Sequence, residues 1–304
     1  MSTVYIGTSD FAAAVLERLA ASPSHRPALV ITRPDRPSGR GRRLSSPPVA
    51  EAARALDIAL EQPASVNDDH ALATIDRALG ADRPGTVVVC AFGALIKEPL
   101  LSRYLLLNVH PSLLPRWRGA APVERAIMAG DTRTGVSIMR LTAGLDSGPV
   151  CLAAAEPIQL QDTYGSLAAR LQTLAGELLA RALDECPPFV EQSQDGVTYA
   201  EKLGPADRLL DPARPALELE RVVRALQPHI GARVQLADGA MLGVQRAALA
   251  DEVADAPGML VRDERLLLCC TPGTLELLVV QPPGGRAMDA AAYLRGHTPF
   301  GGTP

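Results

Sequence analysis

The sequence predicts an α/β protein. Its N-terminal part should be a Rossmann-like, mostly parallel sheet with helices on both faces, and its C-terminal part a small OB-like β-barrel. Three observations predict this. Through about residue 182, short β-branched runs alternate with amphipathic helical stretches, and strands joined through helices run parallel. Beyond a polar stretch the pattern changes to short apolar runs broken by Gly, Pro and Asp, which suits a small antiparallel barrel. The chain's 304 residues, 47% of them hydrophobic, suffice for two cores.

The elements follow in order. Thr3 to Ile6 is a β-rich run ending at Gly7, and Ser9 or Asp10 can cap a helix from Phe11 to about Ala21. Pro27 to Thr32 is a second apolar run, and Pro48 to Leu56 has helical spacing. Thr86 to Cys90, with Val87, Val88 and Val89, reads as a buried strand, and Tyr104 to His110 as the next. A helix is expected over Val123 to Ala129 and a strand over Val136 to Leu141. Asp162 is placed to cap a long helix through Ala182, which Cys186-Pro187-Pro188 stops. The polar stretch 188–206 reads as a linker between a domain at 1–187 and another at 207–304. In the latter, a helix over Pro215 to Leu226 precedes strands near 232–236, 241–246, 259–261, 266–270 and 275–280.

Composition narrows the function classes. No run of 18 or more uncharged apolar residues occurs, so no membrane span is expected, and Met1 to Gly7 reads as a first strand, not a signal peptide. Five cysteines without CxxC spacing suit a reduced, cytoplasmic protein with no zinc site. His25, His70, His229 and His297 lack ligand spacing, so no metal is expected. Gly-x-Gly-x-x-Gly is absent after the first strand, which argues against a nicotinamide cofactor. A net charge of −4 and 3% aromatics argue against nucleic-acid binding by bulk charge or extensive base stacking, though not against a local basic patch.

Chemistry concentrates in Asn108-Val109-His110 and in Asp146. If Leu105 to His110 is a strand, positions i and i+2 share a face. Asn108 and His110 then stand together at the strand's C-terminal end, where open α/β sheets place ligands. An amide can donate to an oxyanion, an imidazole can accept a proton near neutral pH, and a carboxylate can support the imidazole or relay a proton. These are the parts for moving an acyl group onto an amine. The alternative is structural: Asn108 begins a turn, His110 is a satisfied surface group, and Asp146 holds the Asp-Ser-Gly turn.

A second concentration is the loop 33–43, where Arg33, Arg36, Arg40, Arg42 and Arg43 face one acid, Asp35. Pro34, Pro37, Gly39 and Gly41 make a regular helix or strand improbable there. Either it is a solvated charged loop, or a mobile arm whose guanidinium groups hold phosphates. Arg116 and Arg118 are expected to extend the patch, and Trp117 to stack on a base or to pack.

The text Asn108 to Pro122, NVHPSLLPRWRGAAP, resembles the formyltransferases that use 10-formyltetrahydrofolate, whose motif is Asn-x-His-x-Ser-Leu-Leu-Pro with a later Asp. Within them Pro115 to Pro122 resembles the methionyl-tRNA formyltransferases. So do Gly7-Thr8-Ser9-Asp10-Phe11, the loop Thr32 to Arg42, Thr198 to Leu203, and Arg224-Ala225-Leu226. The resemblance implies that Asn108, His110 and Asp146 are catalytic. It implies that Ser112, Leu113, Leu114 and Pro115 line the folate site, with Phe92, Gly93, Ala94, Leu95 and Ile96 flanking the pteridine partly through backbone groups. It also implies that Arg33, Arg36, Arg40, Arg42, Arg43, Arg116 and Arg118 engage tRNA. The expected reaction formylates the α-amine of methionine on initiator Met-tRNA for translation initiation. The donor is 10-formyltetrahydrofolate, no metal takes part, and a cytoplasmic monomer is expected.

Two departures stand out. Pro111 replaces the usual Gly or Ala. Gln227-Pro228-His229-Ile230-Gly231 stands where the family commonly has Asn-Pro-Trp-Pro-Gly. Residues 205–304 hold ten Arg and no Lys against twelve acids, so tRNA contact by this part must rest on a few placed arginines such as Arg221, Arg224 and Arg233. The alternatives are formylation of an amino-sugar nucleotide or a glycinamide ribonucleotide, hydrolysis of the formyl group, or non-catalytic RNA or folate binding.

Overall fold

A computed structural model describes residues 2–38, 43–80, 85–252 and 256–297. The first half begins with β1 (Thr3–Gly7), buried along its whole length, and α1 (Asp10–Ala20), whose Ser9 hydroxyl accepts the Ala12 N–H at 3.3 Å. Next come β2 (Leu29–Ile31), β3 (Arg36–Ser38), β4 (Arg43–Ser45), α2 (Pro48–Ala55), β5 (Leu60–Glu61) and α3 (Asp69–Leu79). Then follow β6 (Thr86–Cys90), α4 (Leu100–Arg103), β7 (Leu105–His110), β8 (Arg118–Gly119), α5 (Pro122–Ala129), β9 (Arg133–Arg140), β10 (Val150–Pro157), α6 (Tyr164–Glu185) and β11 (Tyr199–Ala200).

Seven of these strands form one sheet in the order β10-β9-β7-β6-β1-β2-β5. The strands from β5 to β7 are parallel, as the β-α alternation requires, and β9 runs antiparallel to β7. Val4, Ile6, Ile31, Val87, Val89 and Leu106 belong to one buried cluster with Leu72 and Ile75 of α3. Fixing this register brings β7 to its end beside β9, with His110 opposite Ser137.

The loop expected to be irregular instead contains a short antiparallel ribbon. β3 pairs with β4 through Arg36–Ser45 and Pro37–Leu44. Its base is held by Asp35, which accepts from Gln62 at 2.7 Å and from Ser46 at 3.0 Å. These bonds, the Gln62 one first, hold the Asp35 carboxyl below its usual pKa. Of the residues that argue against a strand here, Pro37 lies within β3, in a ribbon of only two strands.

By contacts the chain falls into two compact units. The first comprises Met1–Pro122, Thr134–Pro157 and Ala168–Ala200, and the second Val123–Arg133, Ile158–Leu167 and Glu201–Pro304. The stretch read as a linker is therefore partly structural, since β11 pairs with β8 inside the first unit.

The second unit contains α7 (Ala216–Ala225), β12 (Ala232–Gln235), β13 (Met241–Ala250), β14 (Gly258–Arg262), β15 (Arg265–Cys269), β16 (Thr274–Gln281), β17 (Met288–Asp289) and α8 (Ala290–Gly296). The expected small barrel takes the form of a curled antiparallel sheet, a half-barrel ordered β12-β13-β16-β15-β14 with β17 on β16. A register shift in β13 between Val244 and Ala247 bends the strand. The concave core includes Leu219, Val222 and Leu226 from the α7 region and Tyr293 from α8.

Candidate active site

β7 delivers the two side chains that its i, i+2 spacing promised. Asn108 and His110 are both buried, 7% and 4% exposed. The Asp146 carboxylate reaches them from the loop after β9: Asn108 Nδ2 donates to Oδ1 at 3.4 Å, and His110 Nδ1 lies 3.7 Å from Oδ2. The Gly119 N–H also donates to Oδ2, at 2.8 Å. The structure therefore brings all three predicted catalytic residues together.

The imidazole has a defined tautomer. Its Nε2 lies 2.8 Å from the Trp117 carbonyl, which can only accept, so Nε2 carries the hydrogen. In neutral His110 the basic nitrogen is then Nδ1, the atom facing Asp146. A proton taken up there would complete an ion pair with the carboxylate. Two residues in this arrangement, Trp117 (φ +64°) and Asp146 (φ +43°), adopt the left-handed backbone, unusual outside glycine and associated with functional sites.

The turn leaving β7 is knitted by two serines. Ser112 is fully buried, and its Oγ donates to the Arg116 carbonyl at 2.6 Å. Ser137 on β9 donates to the Ser112 carbonyl at 2.8 Å and accepts the Leu114 N–H at 3.2 Å. Ser112 is thus engaged within the turn, while Leu113, Leu114 and Pro115 on it are partly exposed.

The loop after β6 divides similarly. The Phe92 and Ile96 side chains belong to the buried core cluster, so only their backbone groups are left to face the loop's surface. Gly93, Ala94 and Leu95 are exposed, Leu95 at 67%. Three outside side chains hold this loop. Thr8 donates to the Phe92 carbonyl at 2.8 Å, Arg33 to Gly93 O at 2.9 Å, and Asn67 to Leu95 O at 2.9 Å.

The arginines separate. Arg33 is committed to Gly93 O, and Arg36 is exposed on the ribbon. Arg40 and Arg42 lie outside the described residues; of Arg43 the backbone, starting β4, is described. The Arg116 guanidinium stacks 4.3 Å from the Trp117 ring centroid. Arg118 does not extend an exposed patch: it is 6% exposed and donates to Gln192 Oε1 from Nε at 3.0 Å and Nη2 at 2.8 Å. Gln192 Oε1 thereby takes up two of the guanidinium's five N–H donors.

Gln192, Ser137 and the backbone groups of Trp117 and Gly119 escaped the sequence reading. Backbone donors carry no residue signal, and Gln192 sits in a stretch whose polarity reads as linker.

Comparison with known proteins places the chain in a family. The family profile described as Formyl transferase matches residues 1–183, and that described as Formyl transferase, C-terminal domain, matches 202–298. A methionyl-tRNA formyltransferase of Ruegeria pomeroyi is 42% identical over 302 residues, covering 97% of each chain. One from Halorhodospira halophila is 40% identical over 309 residues, covering 99% of this chain and 98% of its own. Among solved structures, an N-formyltransferase from Helicobacter canadensis, in complex with folinic acid and dTDP-3-aminofucose, shares the fold. Its TM-score is 0.65 at 14% identity, over 91% of this chain and 98% of that one.

Proposed function

Because this chain belongs to the formyl transferase family, and to its methionyl-tRNA formyltransferases by identity over nearly its whole length, we propose that it moves the formyl group of 10-formyltetrahydrofolate onto the α-amine of initiator Met-tRNA. The acceptor assignment follows the relatives that match at 40–42% identity. The shared fold at 14% identity does not choose between a tRNA and a sugar. In this reading the enzyme works as a cytoplasmic monomer without a metal. Residues 1–187 carry the chemistry and 207–304 assist in holding the tRNA.

One observation carries the chemistry: an amide, an imidazole with its Nε2 hydrogen committed to Trp117, and a carboxylate converge within 3.4–3.7 Å. The ester bond to tRNA lowers the basicity of the methionyl amine, so an unprotonated fraction exists at neutral pH. Its nitrogen attacks the formyl carbon. Asn108 has a second amide N–H to donate to the developing oxyanion. His110 accepts the amine proton at Nδ1, and the imidazolium is stabilised by Asp146 Oδ2. When the tetrahedral intermediate collapses, the bond from carbon to N10 breaks and the proton passes to N10, leaving tetrahydrofolate and N-formylmethionyl-tRNA. Leu113 to Pro115 and the exposed Gly93 to Leu95 are the proposed folate contacts. Arg36, Arg40, Arg42, Arg43 and Arg116 are the proposed phosphate contacts, with Arg33 bracing the loop.

The test is kinetic. His110→Ala and Asp146→Ala should each lose several orders of magnitude in transfer rate while tetrahydrofolate still binds. Parent-like turnover in either variant would refute the assigned roles.

A further inference from the structure

The residues following α6 run as a strap across the site. The Arg140 guanidinium lies 4.9 Å from the Phe189 ring centroid. Val150 and Val190 exchange backbone hydrogen bonds of 2.8 and 2.9 Å. Further along, Thr198 Oγ1 accepts the Trp117 N–H at 2.9 Å, and Ala200 O accepts the Ala120 N–H at 2.7 Å. Segment 189–200 thus grips both parts of the chain that converge on the reacting groups: the hairpin carrying Asp146, and residues 117–119, which supply the carbonyl to His110 and the N–H to Asp146.

Gln192 lies at the centre of this strap. Its Nε2 donates to the Asp146 carbonyl at 2.8 Å and to the Gly148 carbonyl at 2.7 Å. Its Oε1 accepts both bonds from buried Arg118. An amide has two donors and an acceptor oxygen with two lone pairs, and here all are engaged, so the side chain is oriented uniquely. Two of those bonds end on the loop in which Asp146 adopts φ +43°, a region that few non-glycine residues enter, aspartate among them. The loop has no slack on its other side: a Cβ added at Gly148 would stand 2.0 Å from the Arg140 carbonyl oxygen.

We propose that Gln192 is a positioning residue for formyl transfer, with Arg118 as the anchor that fixes its orientation: its amide N–H groups hold the 144–148 loop so that Asp146 faces His110 Nδ1. This inference rests on the catalytic role of Asp146 proposed above. It assigns Arg118 to the interior of the site instead of to RNA phosphate.

The substitution Gln192→Glu separates positioning from mere satisfaction of Arg118. A glutamate still accepts from the guanidinium and adds an opposite charge, which offsets part of the loss of the two loop hydrogen bonds, so the thermal midpoint should fall less than in Gln192→Ala. It cannot donate to the two loop carbonyls and instead sets oxygen against oxygen. The expected result is a fall in kcat of about 10²-fold, the effect of a displacement near 1 Å in a reacting group. KM for folate and tRNA should stay within about twofold. Gln192→Ala should lower kcat similarly. In an Asp146→Asn background, itself slow, Gln192→Ala should cost little further, because Gln192 acts through Asp146.

Parent-like kcat in Gln192→Glu, or a full additional loss from Gln192→Ala in the Asp146→Asn background, would overturn the proposal while leaving the role of Asp146 intact. Unchanged kcat in Asp146→Asn alone would overturn both. If either Gln192 variant fails to fold, Gln192→Met, of similar length and without polar atoms, takes its place with the same expectation for kcat.

Discussion

Removing a single oxygen, by Ser137→Ala, should loosen the turn that leaves β7. Ser137 is fully buried, opposite His110 in the sheet register, and its Oγ is both donor to Ser112 O and acceptor from Leu114 N. Alanine leaves a buried carbonyl and a partly buried N–H each short of this partner, at about 1–3 kcal/mol apiece with the N–H toward the lower end. The loss should therefore be about 3 kcal/mol. For a unit of this size that corresponds to roughly 6–12 °C in Tm. The assay has a built-in local reporter, because Trp117 is the only tryptophan and lies in the first unit beside the site. Thermal unfolding followed by Trp117 emission should show the shift, and the dissociation constant for tetrahydrofolate should rise, since Leu113 to Pro115 ride on the same turn. A midpoint within about 2 °C of the parent would refute the reasoning, since it would mean that both orphaned groups find partners at no net loss.

The thiols should react in order of exposure. Cys186, which is exposed, should be labelled fastest in the native protein, while Cys90, buried against Tyr5 with its pKa pushed up to about 12, should be labelled only on unfolding. Raising the pH from 7 to 9 increases the thiolate fraction at an ordinary cysteine but barely at Cys90, and native labelling of Cys90 at pH 9 would contradict this. Gly119→Ala should cut turnover by at least about tenfold and destabilise the first unit. Gly119 has φ +124°, a Cβ there would stand 2.6 Å from Ala200 O, and its N–H holds Asp146 Oδ2. Parent-like activity and melting of that variant would contradict the role given to the β8–β11 pairing.

What could be read from the sequence depended on whether one residue's chemistry or a meeting of distant groups was at stake. The strand Thr86 to Cys90 was legible because three valines in a run have few other homes. The Asn108–His110 pair was legible because a strand's period is two. β10 was not foreseen: Val150 to Pro157 is rich in alanine, which favours helix, and it is held in the sheet by pairing with β9. α3 was missed although Asp68 caps it by accepting the Ala71 N–H at 2.8 Å. At the site, the trio was legible and its supports were not. Trp117 O, Gly119 N, Ser137 and Gln192 act through backbone atoms or toward them, and such partners are chosen by the folded chain instead of by local pattern. Arg118 illustrates the converse. Its charge reads as surface, yet burial beside Gln192 gives it an internal task.

The central claim is tested most directly by supplying the protein with 10-formyltetrahydrofolate and, in parallel, Met-tRNA or an amino-sugar nucleotide, then assaying N-formyl product and released formate. The account predicts N-formylmethionyl-tRNA, formed in step with tetrahydrofolate and abolished by His110→Ala. Formylation of the sugar without formylation of the tRNA, or release of formate alone, would contradict it.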